Sequence, residues 1–133
     1  MKLIIYNGSP RGVKSNTKIL TDQFLKGFRI RGNDEVEEFL LAKKSDRIRG
    51  AVRFPEADHV ILAFPLYTDS MPGIVKEFIE MLEPFKGKEG NPGMGYIIHS
   101  GFPEPAHSRY VERYLQQLTK KMRSEYSGTA VKG

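Results

Sequence analysis

The chain has 133 residues, no cysteine and a formal net charge of +5, from 21 Lys and Arg against 16 Asp and Glu. The missing thiols exclude a disulfide framework, a cysteine-held zinc or iron–sulfur site and a cysteine nucleophile. One domain is expected at this length, no apolar run approaches the roughly 18–20 residues of a membrane span, and the cations are scattered rather than gathered in a stripe. A cytoplasmic protein with neither a nucleic acid nor a membrane as partner is therefore expected.

In chain order, Lys2 to Tyr6 comes first, an apolar run (Leu3, Ile4, Ile5, Tyr6) that stops at Asn7-Gly8. Unbroken apolarity bounded by turn residues predicts a strand buried on both faces of a parallel sheet. Leu20, Phe24 and Phe28, four residues apart, predict a helix, with Ser15 and Asn16 as candidate N-caps. Val36 to Leu41 is half charged and reads as an edge strand. Residues 45–53 predict a short helix that packs through Ile48 and Val52. Asp58 to Phe64 carries five consecutive apolar residues and predicts a second fully buried strand. Val75, Phe78, Ile79 and Leu82 then give helical spacing, with Pro72 in the first turn and a stop at Glu83-Pro84. Phe85 to Gly93, rich in Lys and Gly, is the expected long loop. Met94 to His99 predicts the next strand. Val111, Tyr114, Leu115, Leu118 and Met122 predict a last helix, begun near Pro105. Strands alternating with helices define an α/β fold with a mainly parallel sheet.

Open parallel sheets bind ligands beyond the carboxyl ends of their strands, where strand order reverses. That selects three loops: Gly8 to Asn16, Pro65 to Pro72 and Ser100 to Pro105. The first leads directly into a helix, whose free N–H groups and positive dipole end suit a phosphate. Ser9, Ser15, Asn16 and Thr17 add small donors there, and Arg11 and Lys14 add positive charge. A nucleotide P-loop is a poor fit, because Val13 stands where the second glycine of G-x-x-x-x-G-K-[ST] belongs. His59 and His107 read as surface groups. His99 lies near the end of a strand, and three separated histidines give no zinc spacing, so no metal is expected.

Taken together, the three loops carry a resemblance. Gly8-Ser9-Pro10-Arg11 with Ser15-Asn16-Thr17 follows the first strand. Pro65-Leu66-Tyr67 with Met71-Pro72-Gly73 and Lys76-Glu77-Phe78-Ile79 follows the third. Ser100-Gly101-Phe102-Pro103-Glu104 follows the fourth. In that order, over nearly the whole chain, they resemble the NAD(P)H-dependent FMN reductase family of flavodoxin-like proteins. The resemblance implies one flavodoxin-like domain over residues 1–133, a three-layer sandwich with sheet order 2-1-3-4-5. It implies FMN as cofactor, with its phosphate among Ser9, Arg11, Ser15, Asn16 and Thr17. Its ring would lie between Pro65, Leu66 and Tyr67 on one side and Ser100, Gly101 and Phe102 on the other. Tyr67 and Phe102 are equally readable as packing residues. NAD(P)H as co-substrate and a quinone, free flavin or similar small molecule as acceptor complete the implied oxidoreductase, with no catalytic residue named. The alternatives are an FMN-binding electron carrier and a non-enzymatic nucleotide-binding module.

Residues Tyr126 to Gly133 match the family's fifth strand, and the helix expected after it is missing. Right-handed crossovers put the first helix on one face of the sheet and the others on the opposite face. One face of strands three and four, within Val60 to Phe64 and Tyr96 to Ile98, is then expected to lie bare. A homo-oligomer formed through that face is expected, or else a fragment whose missing segment covered it.

Overall fold

The apolar runs assemble into one five-stranded parallel sheet of order β2-β1-β3-β4-β5 in the computed structural model, which describes residues 1–29, 34–66, 71–100 and 106–132. The strands are β1 (Lys2–Asn7), β2 (Glu35–Leu40), β3 (His59–Leu66), β4 (Gly93–Ser100) and β5 (Tyr126–Lys132). The helices are α1 (Asn16–Arg29), α2 (Lys44–Arg53), α3 (Gly73–Met81) and α4 (Ala106–Lys121). This is the predicted sandwich, with every predicted strand and helix in place. The half-charged β2 is an edge strand, as its composition required. β3 and β4 run further than predicted, so Pro65, Leu66 and Ser100 are the last residues of strands rather than loop residues.

Side chains alternate across the sheet with period two, and the two faces separate cleanly. Ile4, Tyr6, Val60, Leu62, Phe64 and Tyr96 belong to the larger core beneath α2, α3 and α4. Leu3, Ile5, Ile61, Ala63 and Ile97 face α1, where Leu20, Phe24, Leu25 and Phe28 pack on them. The expectation of a bare face on strands three and four is therefore corrected. α1 reaches across β1, β3 and β4, and Ile61 and Ile97 are only 6% and 8% exposed. What stays open on that side is a groove of about 430 Å³ beside β5, where Phe24, Ile61 and Ile97 face the small residues Gly128 and Ala130.

Two further expectations are corrected by packing. In α2 the buried residues are Arg47, Gly50 and Ala51, while Ile48 and Val52 are exposed. The helix lies so close to the sheet that a Cβ on Gly50 would sit 3.0 Å from Tyr6 and 3.1 Å from Phe39. In α4, Val111, Leu115, Leu118 and Met122 are buried as predicted, but Tyr114 turns outward. α4 is fixed instead by a polar contact. Buried Thr119 donates to Leu115 O at 2.7 Å, and its hydroxyl also lies 2.7 Å from that of Tyr96 on β4. The long loop is tied down by Asn91, whose amide donates to Phe85 O at 2.8 Å and Met122 O at 2.7 Å. Among the described residues no helix is long and apolar enough to cross a membrane.

Candidate functional site

The sheet order places β1 between β2 and β3, so the chain reverses direction at the carboxyl ends of β1 and β3. This is the crevice where open α/β sheets bind ligands. Gly8 leaves β1 with its N–H on Ala63 O at 2.6 Å. A Cβ at Gly8 would collide with the side chain of Val75 in α3 and lie 3.1 Å from that of Phe64. Only a glycine allows this approach, which holds the loop after β1 against the head of α3.

Asn7 organises the loop from below. It is fully buried, its Oδ1 accepts the N–H of Ser9 at 3.0 Å, and its backbone carbonyl accepts that of Leu41 at 2.9 Å. In the sequence Asn7 reads only as the end of a strand; an Asn just before a Gly at a strand terminus signals such a side-chain turn. Ser9 is 1% exposed, and its Oγ accepts the N–H of Arg11 at 3.2 Å, a bond that does not engage the hydroxyl hydrogen. Ser15 is the helix cap. Its hydroxyl donates to Gly12 O at 2.7 Å and accepts Lys18 N–H at 3.0 Å. Thr17 is buried in the first turn of α1, whereas Arg11, Lys14 and Asn16 are exposed beside it. First-turn N–H groups lack intrahelical partners, so this loop gathers backbone donors, the positive helix end and two cations.

The second half of the crevice comes from β3 and β4. In their register Pro65 stands beside His99, and Leu66 beside Ser100. Proline is tolerated at this point in a central strand for a geometric reason. Ala63 directs its carbonyl toward β1, and backbone groups alternate with period two, so an N–H at residue 65 would point past Gly8, where β1 has already turned away. Leu66 and Ser100 are buried and His99 is half-buried. The structure thus gathers Ser9, Arg11, Ser15, Asn16, Thr17, Pro65, Leu66 and Ser100 at one end of the sheet. Tyr67, Gly101 and Phe102 lie outside the described residues.

The remaining titratable groups lie elsewhere. His59, expected at the surface, is half-buried at the amino end of β3, at the opposite end of the strands from the crevice. Burial lowers its pKa, and the charge of Glu125 partly opposes that shift. Lys18, behind the cap, loses some basicity to burial, but bonds at 2.8 Å to both Asp22 and Glu38 more than restore it and leave its pKa raised. The described residues contain no group of three His, Asp or Glu side chains placed to hold a metal ion.

A parallel sheet of order 2-1-3-4-5 with helices on both faces and a donor-rich loop at the switch point defines a flavodoxin-like protein. The chain belongs to the Flavodoxin_2 family, whose model, described as a flavodoxin-like fold, matches residues 1–83. No curated protein matches the chain. Among solved structures it resembles an NADH:FMN oxidoreductase in its apo form at 20% identity and a TM-score of 0.75, over 98% of this chain and 75% of that one. It also resembles an FMN-dependent NADH-azoreductase from Bacillus anthracis in complex with FMN, at 15% identity and a TM-score of 0.76, covering 98% and 86%. An NADPH-quinone reductase from P. pentosaceus aligns at 19% identity and a TM-score of 0.72, over 99% and 84%. At these identities the likeness establishes the fold.

Proposed function

We propose that the protein is an FMN-dependent oxidoreductase that takes reducing equivalents from NAD(P)H and gives them to a small acceptor such as a quinone or a free flavin. The observation that carries this reading is the loop after β1, in which buried Ser9 and the first turn of α1 converge beside Arg11 at the switch point. Two of the structural neighbours are named for FMN dependence or FMN oxidoreduction with NADH, and a third for quinone reduction.

The residues present fit the cofactor. Ser9, Arg11, Asn16 and Thr17, with the N–H groups of the first turn, would hold its phosphate, and Ser15 would hold the loop in shape through Gly12. Pro65, Leu66 and Ser100 would border its ring, together with Tyr67, Gly101 and Phe102. FMN, when bound, supplies the hydride and electron chemistry itself. The chain's own part is to bind and orient. The strand ends at Leu66 and Ser100 would border the ring from its two sides, and donors at the loop compensate charge. No protein acid or base is required for hydride transfer, so none is assigned.

The test is the purified protein titrated with FMN, followed by NADH or NADPH oxidation with an added quinone. Flavin binding together with turnover that withstands EDTA is expected. Failure to bind FMN refutes the flavin reading. Binding without turnover supports an electron carrier instead.

A further inference from the structure

We propose that the groove beside β5 is a second, acyl-transfer site, in which Ser127 attacks the carbonyl of a small, uncharged, apolar ester and His59 takes the proton. His59 and Ser127 stand near the amino ends of β3 and β5, away from the crevice, so the inference is independent of the flavin reading.

The two side chains meet across an intervening strand. His59 on β3 and Ser127 on β5 are separated by β4, yet Ser127 Oγ lies 3.5 Å from His59 Nδ1. Glycines keep the lane between them open. In register Gly93 stands beside His59, and Gly95 beside Ile61. A Cβ at Gly93 would sit 2.8 Å from His59 Nδ1. One at Gly95 would sit 3.4 Å from Ser127 Cβ and 3.6 Å from His59 Nε2. The serine is aimed by a bulge. The β4–β5 register steps from Met94 beside Tyr126 to Gly95 beside Gly128, which leaves Ser127 as the extra residue. Such a residue escapes the regular alternation of the strand, and its side chain is re-aimed. Gly128 completes the bulge with a φ of 114°, which a residue with a side chain would resist. The pair borders a space of about 430 Å³, the size of a small-molecule site, floored by Phe24, Ile61 and Ile97. Its described lining holds no Lys, Arg, Asp or Glu, which selects an uncharged ligand with an apolar body.

A serine is a weak nucleophile until a base accepts its proton, and such contacts are often long until substrate binds. Ser127 is exposed, so an ester reaches it. His59 suits the base: its half-burial favours the neutral ring, and the charge of Glu125 favours the ring once it has gained a proton. β5 is an edge strand, so every second N–H along it lies outside the ladder. That leaves a free donor at or next to Ser127 for the negative charge that gathers on the carbonyl oxygen. In the reaction Ser127 Oγ bonds to the carbonyl carbon while its proton passes to His59. The bond from that carbon to the leaving oxygen breaks, and His59 returns the proton to the departing alcohol. Water then attacks the acyl-serine with His59 again as base, which releases the carboxylic acid and restores both residues. The net change is ester plus water to acid plus alcohol.

Purified protein mixed with p-nitrophenyl butyrate tests the proposal. The readouts are nitrophenol release and, after an acid quench, tandem mass spectrometry of the peptide carrying Ser127. Release and a butyryl group on Ser127 are expected. Ser127→Ala should abolish both, and His59→Gln should slow release by about a hundredfold. Ser127 is exposed and His59 half-buried, so both variants should keep the circular dichroism spectrum of the wild type. Ala130→Phe fills the groove without replacing either residue of the pair. It should slow p-nitrophenyl butyrate more than p-nitrophenyl acetate, a split that damage to the fold does not produce. Ser45→Ala, at an exposed serine of α2, should leave the rate unchanged. A protein that releases no nitrophenol overturns the proposal. So does release that survives Ser127→Ala, or a butyryl group found only on other residues.

Discussion

The hydroxyl of Tyr6 on β1 donates to the carbonyl of Gly50 in α2 at 2.8 Å, across 44 residues of chain. That carbonyl would ordinarily accept from the N–H of Phe54, but Phe54 turns its N–H to Ala51 as the helix tightens, and Pro55 has none to offer. Tyr6 therefore caps a helix end that the backbone leaves open. Burial, and to a lesser degree the charge of Glu37, raises the phenol pKa, so Tyr6 stays protonated and donating. Tyr6→Phe should cost about 1–3 kcal/mol, the penalty for a buried carbonyl without a partner. Urea unfolding measures it; an unchanged midpoint would mean that water takes over the carbonyl.

The same contact fixes residue 50. Gly50→Ala would improve helix propensity by about 1 kcal/mol, yet its Cβ would press on the rings of Tyr6 and Phe39. Overpacking costs about 1–3 kcal/mol, so a net loss of about 1 kcal/mol is expected. A stabilised variant would show that α2 can lift from the sheet without penalty.

This helix also marks where the sequence was legible and where it was not. The strands could be read because a parallel sheet buries both faces, which leaves unbroken runs such as Val60 to Phe64. The face of α2 could not. Ile48 and Val52 have apolar side chains at helical spacing, but the sheet meets the helix through Gly50 and Ala51, where small size admits Tyr6 and Phe39. Hydrophobicity reports what prefers burial and is silent on which side a helix approaches. α4 repeats the lesson: Tyr114 shares the period of the core yet turns outward, because a neighbouring stripe through Val111, Leu115 and Leu118 fills the contact. Within the site, the loop after β1 stood out by its density of small donors. Asn7 does not stand out, because its work, holding Ser9 through a side-chain turn, depends on burial that composition does not record.

Ser9 and Ser15 should separate as binding residue and scaffold. Ser9 is buried at the loop, and among the described residues its oxygen serves only as an acceptor from Arg11. Ser9→Ala should remove one charge-assisted bond to a phosphate, worth about 1.5–3 kcal/mol, and so weaken FMN by about 10- to 150-fold while riboflavin binding barely changes. Ser15→Ala removes the cap on Lys18 and the bond to Gly12, so it should lower stability by about 0.5–2 kcal/mol. Fluorescence titration with both flavins, alongside thermal melts, distinguishes the two. Equal losses for FMN and riboflavin in Ser9→Ala would exclude Ser9 from phosphate binding.

The last prediction concerns acid. His59 is half-buried at the start of β3, with Ser127 Oγ 3.5 Å from its Nδ1. Burial, the larger influence, disfavours its charged form, and Glu125 opposes this only in part, so the folded pKa lies below the ordinary 6.5. The sign follows from linkage. Between the folded pKa and 6.5 the unfolded chain binds more protons than the folded one, so stability falls as pH falls through that window. Above 6.5 both states are neutral at this residue, and its contribution is fully present. His59→Gln keeps a polar side chain of similar reach without a titrating ring. Urea unfolding of wild type and variant at pH 7.5 and at about pH 5.5, on either side of the ordinary histidine value, isolates the effect. Wild type should lose more stability than His59→Gln on acidification, while the two differ little in pH dependence above neutrality. Equal losses in both would mean that water reaches His59 well enough to leave its pKa unshifted.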